Sequence, residues 1–269
     1  MPATTRQPMP IGAFDSGLGG LSVLREVRAL LPREDLVYIA DSAWCPYGGK
    51  KPAVIAARAA CLTERLLGFG AKIVLVACNT ATIAAVEFLR ATYPVAFVGM
   101  EPAIKPAVGA TRRGVVGVLA TGAALAGERF HRLVENYAGE VRVITQPCPG
   151  LVERVEVGDL DGPETRALVT RYVRPLVEAG ADVLVLGCTH YPFLRDLIQE
   201  TAGLDVRLVD SGAAVARQVR HVLEHDGMLE SAEREGSVSF LTSGSLEPLG
   251  TVLPRLWPGW TTPPQTLGD

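Results

Sequence analysis

Short runs of consecutive apolar residues alternate along this chain with longer stretches in which apolar positions recur every three or four residues. The short runs read as strands buried on both faces, the longer stretches as amphipathic helices. Strands are expected at 9–14, 35–40, 73–77, 95–99, 114–120, 141–145, 183–186, 206–209 and 238–242. Helices are expected after the first strand to about residue 31, and over 52–69, 80–92, 123–138, 163–179, 192–202 and 211–226. In 52–69, Val54, Ile55, Ala59, Leu62, Leu66 and Phe69 mark one face; Pro52 suits the first turn, and Gly68 and Gly70 suit the exit. The tail from Thr261 is polar and Pro-rich and is expected to fray. Strands alternating with helices predict an α/β protein with mainly parallel sheets.

The order restarts near residue 100, and the second half copies parts of the first. Gly70-Ala-Lys-Ile-Val-Leu-Val-Ala-Cys78 matches Gly180-Ala-Asp-Val-Leu-Val-Leu-Gly-Cys188 at a shift of 110 positions. Gly12-Ala-Phe-Asp-Ser16-Gly17 matches Gly117-Val-Leu-Ala-Thr121-Gly122 at a shift of 105. Each half therefore carries a strand ending in Ser/Thr-Gly and, later, a strand ending in Cys. Such a duplication predicts two similar α/β domains related by an approximate two-fold axis, with the active site in the cleft between them. The expected division puts 1–100 and about 208–269 in a first domain carrying Cys78, and 101–207 in a second carrying Cys188. Open α/β sheets bind ligands beyond the carboxyl ends of their strands, where both cysteines and both Ser/Thr-Gly turns fall.

Hydrophobic residues at 48% and charged residues at 20% describe a well-cored globular chain rather than a disordered one. A net charge of −3 with no Lys/Arg-rich run argues against nucleic acid or a membrane surface as partner. No apolar segment reaches the roughly 18–20 residues of a membrane helix. The first eight residues lack the apolar core of a signal peptide, so the cytoplasm is the expected location. The cysteines are Cys45, Cys61, Cys78, Cys148 and Cys188, an odd number without a C-x-x-C pair. Neither a disulfide framework nor a structural zinc site is expected from that spacing.

A single buried cysteine is usually an inert small hydrophobe. The duplicated context of Cys78 and Cys188 reverses that weighting. Two thiols on opposite sides of one carbon are what an enzyme needs to remove a proton from one face and return it to the other. Forming a thiolate at pH 7 costs roughly 2 kcal/mol for an ordinary thiol, and a helix N-terminus lowers that cost. Both thiols precede an expected helix, so both are expected to be tuned toward thiolate. Asn79-Thr80 and Thr189 offer N–H and hydroxyl donors to a substrate carboxylate. The turn Asp15-Ser-Gly-Leu-Gly-Gly20 is either a Gly-rich helix cap or an anion cradle with a carboxylate beside a thiol. It is neither a dinucleotide fingerprint nor a P-loop. His190 lies two residues beyond Cys188, which raises its standing above that of a structural histidine. His131, His221 and His225 fall in helical patterns and are expected in solvent. Asp41 opens a loop through Trp44, Cys45, Tyr47 and Gly48 that reads as an ordinary connection or a substrate-covering lid. Cys45 is left open, and Cys61 and Cys148 read as structural. Trp257 and Trp260 are expected to pack.

At Phe14-Asp-Ser-Gly-Leu-Gly-Gly20, Pro46-Tyr-Gly48, Ala77-Cys-Asn-Thr80 and Leu186-Gly-Cys-Thr-His-Tyr-Pro192 the chain resembles the glutamate racemase family, within the cofactor-independent aspartate/glutamate racemases. The similarity runs over about residues 10–225 in this order. The His after Cys-Thr resembles glutamate rather than aspartate racemases. The resemblance implies interconversion of L- and D-glutamate by two-base proton transfer at Cα, without cofactor or metal. Cys78 would take the proton from D-glutamate and Cys188 from L-glutamate. Asp15 would assist Cys78, His190 would assist Cys188, and Glu156 would support His190, with Asp41 at a further acidic position of the family. Substrate contacts would come from Asp15, Ser16, Tyr47, Gly48, Asn79, Thr80, Thr121, Thr189 and His190. The resemblance also implies supply of D-glutamate to peptidoglycan, hence a role in cell-wall biogenesis and cell shape, and homodimerisation. One departure is Ala124, where the family commonly carries a second Thr; the missing hydroxyl is worth about 0.5–1.5 kcal/mol of substrate contact.

Three other readings compete. A related racemase or decarboxylase acting on another acid rests on Ala124 alone. A cysteine hydrolase built on Cys188 and His190 leaves Cys78 without a role. A silent binding protein that keeps the cleft leaves both thiols without one.

Overall fold

The computed structural model describes residues 9–268. The N-terminal stretch read for a leader, residues 1–8, lies outside them. The first half runs β1 (Ile11–Asp15), α1 (Leu21–Leu30), β2 (Leu36–Ala40), α2 (Pro52–Gly68), β3 (Ile73–Val76), α3 (Asn79–Thr92), β4 (Ala96–Gly99) and α4 (Ile104–Ala110). The second runs β5 (Val115–Ala120), α5 (Gly122–Ala126), α6 (Glu128–Tyr137), β6 (Arg142–Pro147), α7 (Leu151–Glu156), α8 (Pro163–Glu178), β7 (Val183–Leu186), α9 (Arg195–Ala202) and β8 (Arg207–Val209). The chain ends with α10 (Gly212–His225), β9 (Val238–Thr242), α11 (Leu249–Leu256) and β10 (Gln265–Thr266).

The strands form two wholly parallel sheets, β10-β9-β2-β1-β3-β4 and β6-β5-β7-β8. Within each sheet the first four strands of its half take the same order: second, first, third, fourth. The duplicated sequence is thus a duplicated topology. After β8 the chain returns to the six-stranded sheet, where β9 pairs with β2. One apolar cluster joins Ile11, Tyr38 and Leu75 of the first sheet to Leu119, Leu184 and Leu186 of the second and to Leu249 and Leu253 of α11.

The Gly-Ala pair that opens both copies has one cause. Gly70 (φ 77°) and Gly180 (φ 95°) adopt the left-handed conformation just past α2 and α8. In each copy the glycine N–H and the following alanine N–H close back on the helix: Gly70 to Leu67 and Ala71 to Leu66, Gly180 to Val177 and Ala181 to Leu176. This Schellman closure satisfies the last helical carbonyls and aims the chain into the next strand.

Several expectations are corrected. The helix expected over 123–138 breaks at Gly127, where a methyl group would lie 2.4 Å from Ile83 on α3. The stretch 192–202 begins as a 3-10 turn, Tyr191–Leu194, before α9. Helix α4 was not expected; its Pro106 sits in the first turn, where a missing N–H costs nothing. Helices α7 and α11 were also unread. On α2 the buried stripe is Ile55, Ala59, Leu62, Thr63 and Leu66, while Val54 and Phe69 are exposed. The tail does not simply fray: Gln265–Thr266 pairs with β9, using backbone groups that need no apolar side chain. Trp257 and Trp260 do pack, with ring centroids 5.3 Å apart, and Trp260 lies 5.9 Å from Phe240. Among the described residues no helix is long and apolar enough to cross a membrane.

Candidate active site

Corresponding strands of the two sheets deliver corresponding groups. Asp15 ends β1 and Thr121 follows its counterpart β5; Cys78 follows β3 and Cys188 follows β7. Both thiols, Asp15 and His190 are buried, with exposures of 5%, 7%, 0% and 1% in that order. The two sets meet through side chains. Thr189 Oγ1 donates to Asp15 Oδ2 at 3.0 Å, and Thr80 and Thr121 share a hydroxyl–hydroxyl bond of 3.0 Å. Ser22 donates to the Thr189 carbonyl at 2.8 Å.

The two thiols have unlike partners. Cys78 caps α3, its sulfur accepting the Ala81 N–H at 3.4 Å, and the charged group that acts on its thiol most strongly is the Asp15 carboxylate. Cys188 Sγ lies 3.6 Å from His190 Nδ1, and His190 Nε2 lies 2.6 Å from Glu156 Oε1. That oxygen also accepts the Leu18 N–H at 2.6 Å. With Nε2–H directed at Glu156, the nitrogen facing Cys188 is the one left to exchange a proton.

Burial pushes the Cys78 thiol well above its ordinary value, and the negative charges of Asp15 and Cys188 push the same way. The helix N-terminus works against this through Ala81 and is outweighed, so the expected tuning toward thiolate does not hold at Cys78 in the closed site. Burial also raises Asp15, opposed by the charge of His190 and by bonds from Cys78, Ser16 and Thr189. For His190, burial disfavours the charged ring, but hydrogen bonds with Cys188, Cys45 and Glu156 outweigh it and hold the imidazole well above its usual value.

Most of the expected residues are drawn together here. Ser16 is buried, its N–H on Asp15 Oδ1 at 2.6 Å. Asn79 and Thr80 start α3 beside Cys78. Gly48 lies against Thr121, where a methyl group would come within 3.1 Å of the threonine Cβ. Thr121 caps α5 by accepting the Ala124 N–H at 3.2 Å, and Ala124 is buried in the apolar cluster beneath β5. Asp41 is not brought to the thiols. Its carboxylate is filled by Arg58 at 2.7 and 3.0 Å, Tyr47 at 2.5 Å and Ser243 at 2.8 Å. It anchors the loop that carries Tyr47, whose hydroxyl is thereby committed. His131, His221 and His225 are exposed, as expected.

Other residues around the site were given no settled role by the sequence. Gly17 and Gly19 are small because the site presses on them: a methyl group on Gly17 would lie 2.2 Å from Glu156 Oε1, and one on Gly19 2.3 Å from His190 Nδ1. Tyr38 donates to the Gly17 carbonyl at 2.6 Å and holds the turn. A tyrosine inside an apolar strand was the available signal, since a buried phenol needs a partner. Cys45 lies beside His190 and Glu156.

The Asp/Glu/Hydantoin racemase family model matches residues 20–219. The chain is 56% identical over 235 residues to a glutamate racemase of Herpetosiphon aurantiacus, covering 87% of this chain and 92% of that one. This chain belongs to the glutamate racemase family. Membership makes it an isomerase. Solved structures of the family superpose over nearly the whole length. A glutamate racemase from Bacillus anthracis gives a TM-score of 0.86 at 29% identity, covering 98% of each chain. The Escherichia coli glutamate racemase, solved with L-glutamate and the activator UDP-MurNAc-ala, gives 0.85 at 32% identity, covering 96% of this chain and 98% of that one. The contact a cysteine hydrolase would need, Cys188 to His190, is present, but family membership decides against that reading.

Proposed function

We propose that the chain interconverts L- and D-glutamate, with Cys78 and Cys188 as the two bases. The observation that carries this reading is the unlike partnering of duplicated thiols at one locus: a carboxylate at Cys78, an imidazole backed by Glu156 at Cys188, and an Asp15–Thr189 bond joining the two. The thiolate of Cys188 takes the α-proton of L-glutamate and the Cys78 thiol returns one to the opposite face; from D-glutamate the roles reverse. No atom is gained or lost. An imidazolium 3.6 Å from a sulfur is the partner that a thiolate needs, and Asp15 is an acceptor suited to drawing the proton from Cys78. Asp15, Ser16, Asn79, Thr80, Thr121, Thr189 and His190 surround the substrate, with donors on its carboxylates spreading the charge that develops at Cα. Burial excludes the water that would otherwise protonate the carbanion.

The division into domains 1–100 plus about 208–269 and 101–207 is part of the proposal, supported by which sheet each strand joins. So are provision of D-glutamate for peptidoglycan, a cytoplasmic location and a homodimer, all supported by family membership. In D2O, either enantiomer of glutamate should yield product of opposite handedness carrying deuterium at Cα, without added cofactor. Cys78→Ala and Cys188→Ala should each cut racemisation by at least about 10²–10⁴, the range for removing an acid or base. Absence of exchange with both enantiomers would end the glutamate reading. Near-normal turnover in either variant would end the two-base mechanism.

A further inference from the structure

Cys45, Glu156 and His190 come from three remote segments, and one ligand atom of each lies within 4.8 Å of the other two. Thiolate, imidazole and carboxylate are the donor types that zinc takes, and three protein ligands leave its fourth tetrahedral position open. We propose that these residues bind Zn²⁺, and that occupancy stops the enzyme by withdrawing His190 from Cys188.

The geometry favours one arrangement. Glu156 already meets Nε2 of His190 at 2.6 Å while Nδ1 faces Cys188, so an ion shared by Glu156 and His190 takes Nε2 in place of its proton. Ligand bonds of roughly 2.0–2.3 Å put neighbouring donors about 3.5 Å apart, so the 2.6 Å Glu156–His190 pair opens by about 1 Å to admit the ion and the remaining distances, all within 4.8 Å, close by about 1.3 Å or less. An approach exists: Cys45 is half-buried, and the Glu156 side chain is 17% exposed although His190 is covered. The surroundings are supportive, since the Leu18 N–H already orients the Glu156 carboxylate at 2.6 Å. Bound zinc fixes the remaining proton on Nδ1, so His190 can no longer accept one from Cys188. It also ties a loop following a strand of the six-stranded sheet to groups following strands of the four-stranded sheet, which holds the cleft shut.

The inhibitory half of this proposal rests on the role proposed for His190; the binding half does not. Zinc binding should therefore be measured directly, by competition with a chromophoric chelator, alongside racemisation in both directions with and without EDTA. Wild-type protein should bind one Zn²⁺ and lose activity in step with occupancy, with recovery on chelation. Cys45→Ser should bind zinc at least tenfold more weakly, and the racemisation it shows should no longer fall when zinc is added at the concentration that stops the wild type, since even groups behind a ligand cost about 10–100-fold when lost. Cys188→Ala, inactive for a separate reason, should bind zinc as wild type does. Equal affinity in Cys45→Ser, or loss of binding in Cys188→Ala instead, overturns the site. Full racemisation by zinc-loaded protein overturns the inhibition alone. An inactive wild-type enzyme that still binds zinc through Cys45 would count against the proposed function and not against the site.

Discussion

Complete burial at the end of β1 works against the charged form of Asp15, and the neighbours that favour charge, His190, Cys78, Ser16 and Thr189, only partly restore it. Its folded pKa stands above the unfolded one, so between the two the folded state holds the extra proton. Stability must fall as pH rises from the ordinary carboxylate value through the folded one. Asp15→Asn removes the ionisation while keeping an acceptor for the Ser16 N–H. It should melt no lower than wild type at pH 7, lack the wild-type loss of stability above about pH 4, and lose activity by roughly 10²–10⁴. Thermal melts across pH check this; an Asn variant that melts lower at pH 7 and keeps the same pH slope would refute it. The place of Asp15 was legible because it needs only its own strand end. Asp41 looked equally catalytic, yet its partners Arg58 and Ser243 lie 17 and 202 positions away, and no local pattern announces them. Cys45 was ambiguous for the same reason.

The turn between β1 and α1 shows what a Gly-rich element can be for. None of Gly17, Gly19 and Gly20 requires a left-handed backbone. Gly17 and Gly19 are small because Glu156 and His190 press against the turn. Gly19→Ala is therefore a steric probe: its methyl group would reach 2.3 Å from His190 Nδ1, on the side where that nitrogen meets Cys188. Overpacking should cost about 1–3 kcal/mol of stability. Displacing the imidazole by about 1 Å should lower kcat/KM around 10²-fold. Gly68→Ala, at the end of α2 with open space around its Cβ position, is the control and should keep full activity. Equal kinetics in the two variants would show that the turn does not set the imidazole. The Schellman closures after α2 and α8 were readable because helix exits are local. Helix α7, which delivers Glu156, was not: six residues are too few for periodicity to register.

Two sheets with the same strand order, sharing apolar contacts from Ile11 to Leu253, make the molecule a pair of halves around a covered site. Duplication was visible in the chain because strands and their exits repeat in sequence. The return of the last segment to the first half was expected, but its place at the edge of β2 was not, because parallel pairing leaves no local trace. The halves are latched by a few polar bonds, among them Leu18 N–H to Glu156, Ser22 to Thr189 and Thr189 to Asp15. With Asp15 fully covered and both thiols nearly so, glutamate can enter only if the latch opens. The Leu18 amide reports that opening, since its one acceptor lies on the opposite half. A ligand that binds only the closed arrangement reduces the open population by the factor 1 + [L]/Kd. At a hundred times Kd, exchange of the Leu18 amide should slow about 100-fold. Hydrogen exchange read at Leu18, with and without glutamate in the inactive Cys78→Ala variant, measures it without turnover. Glu156→Gln should exchange this amide faster than the parent, because a neutral amide oxygen accepts more weakly than a carboxylate. Exchange at Leu18 that ignores saturating glutamate would mean that the halves do not part to admit substrate, and that entry uses another route.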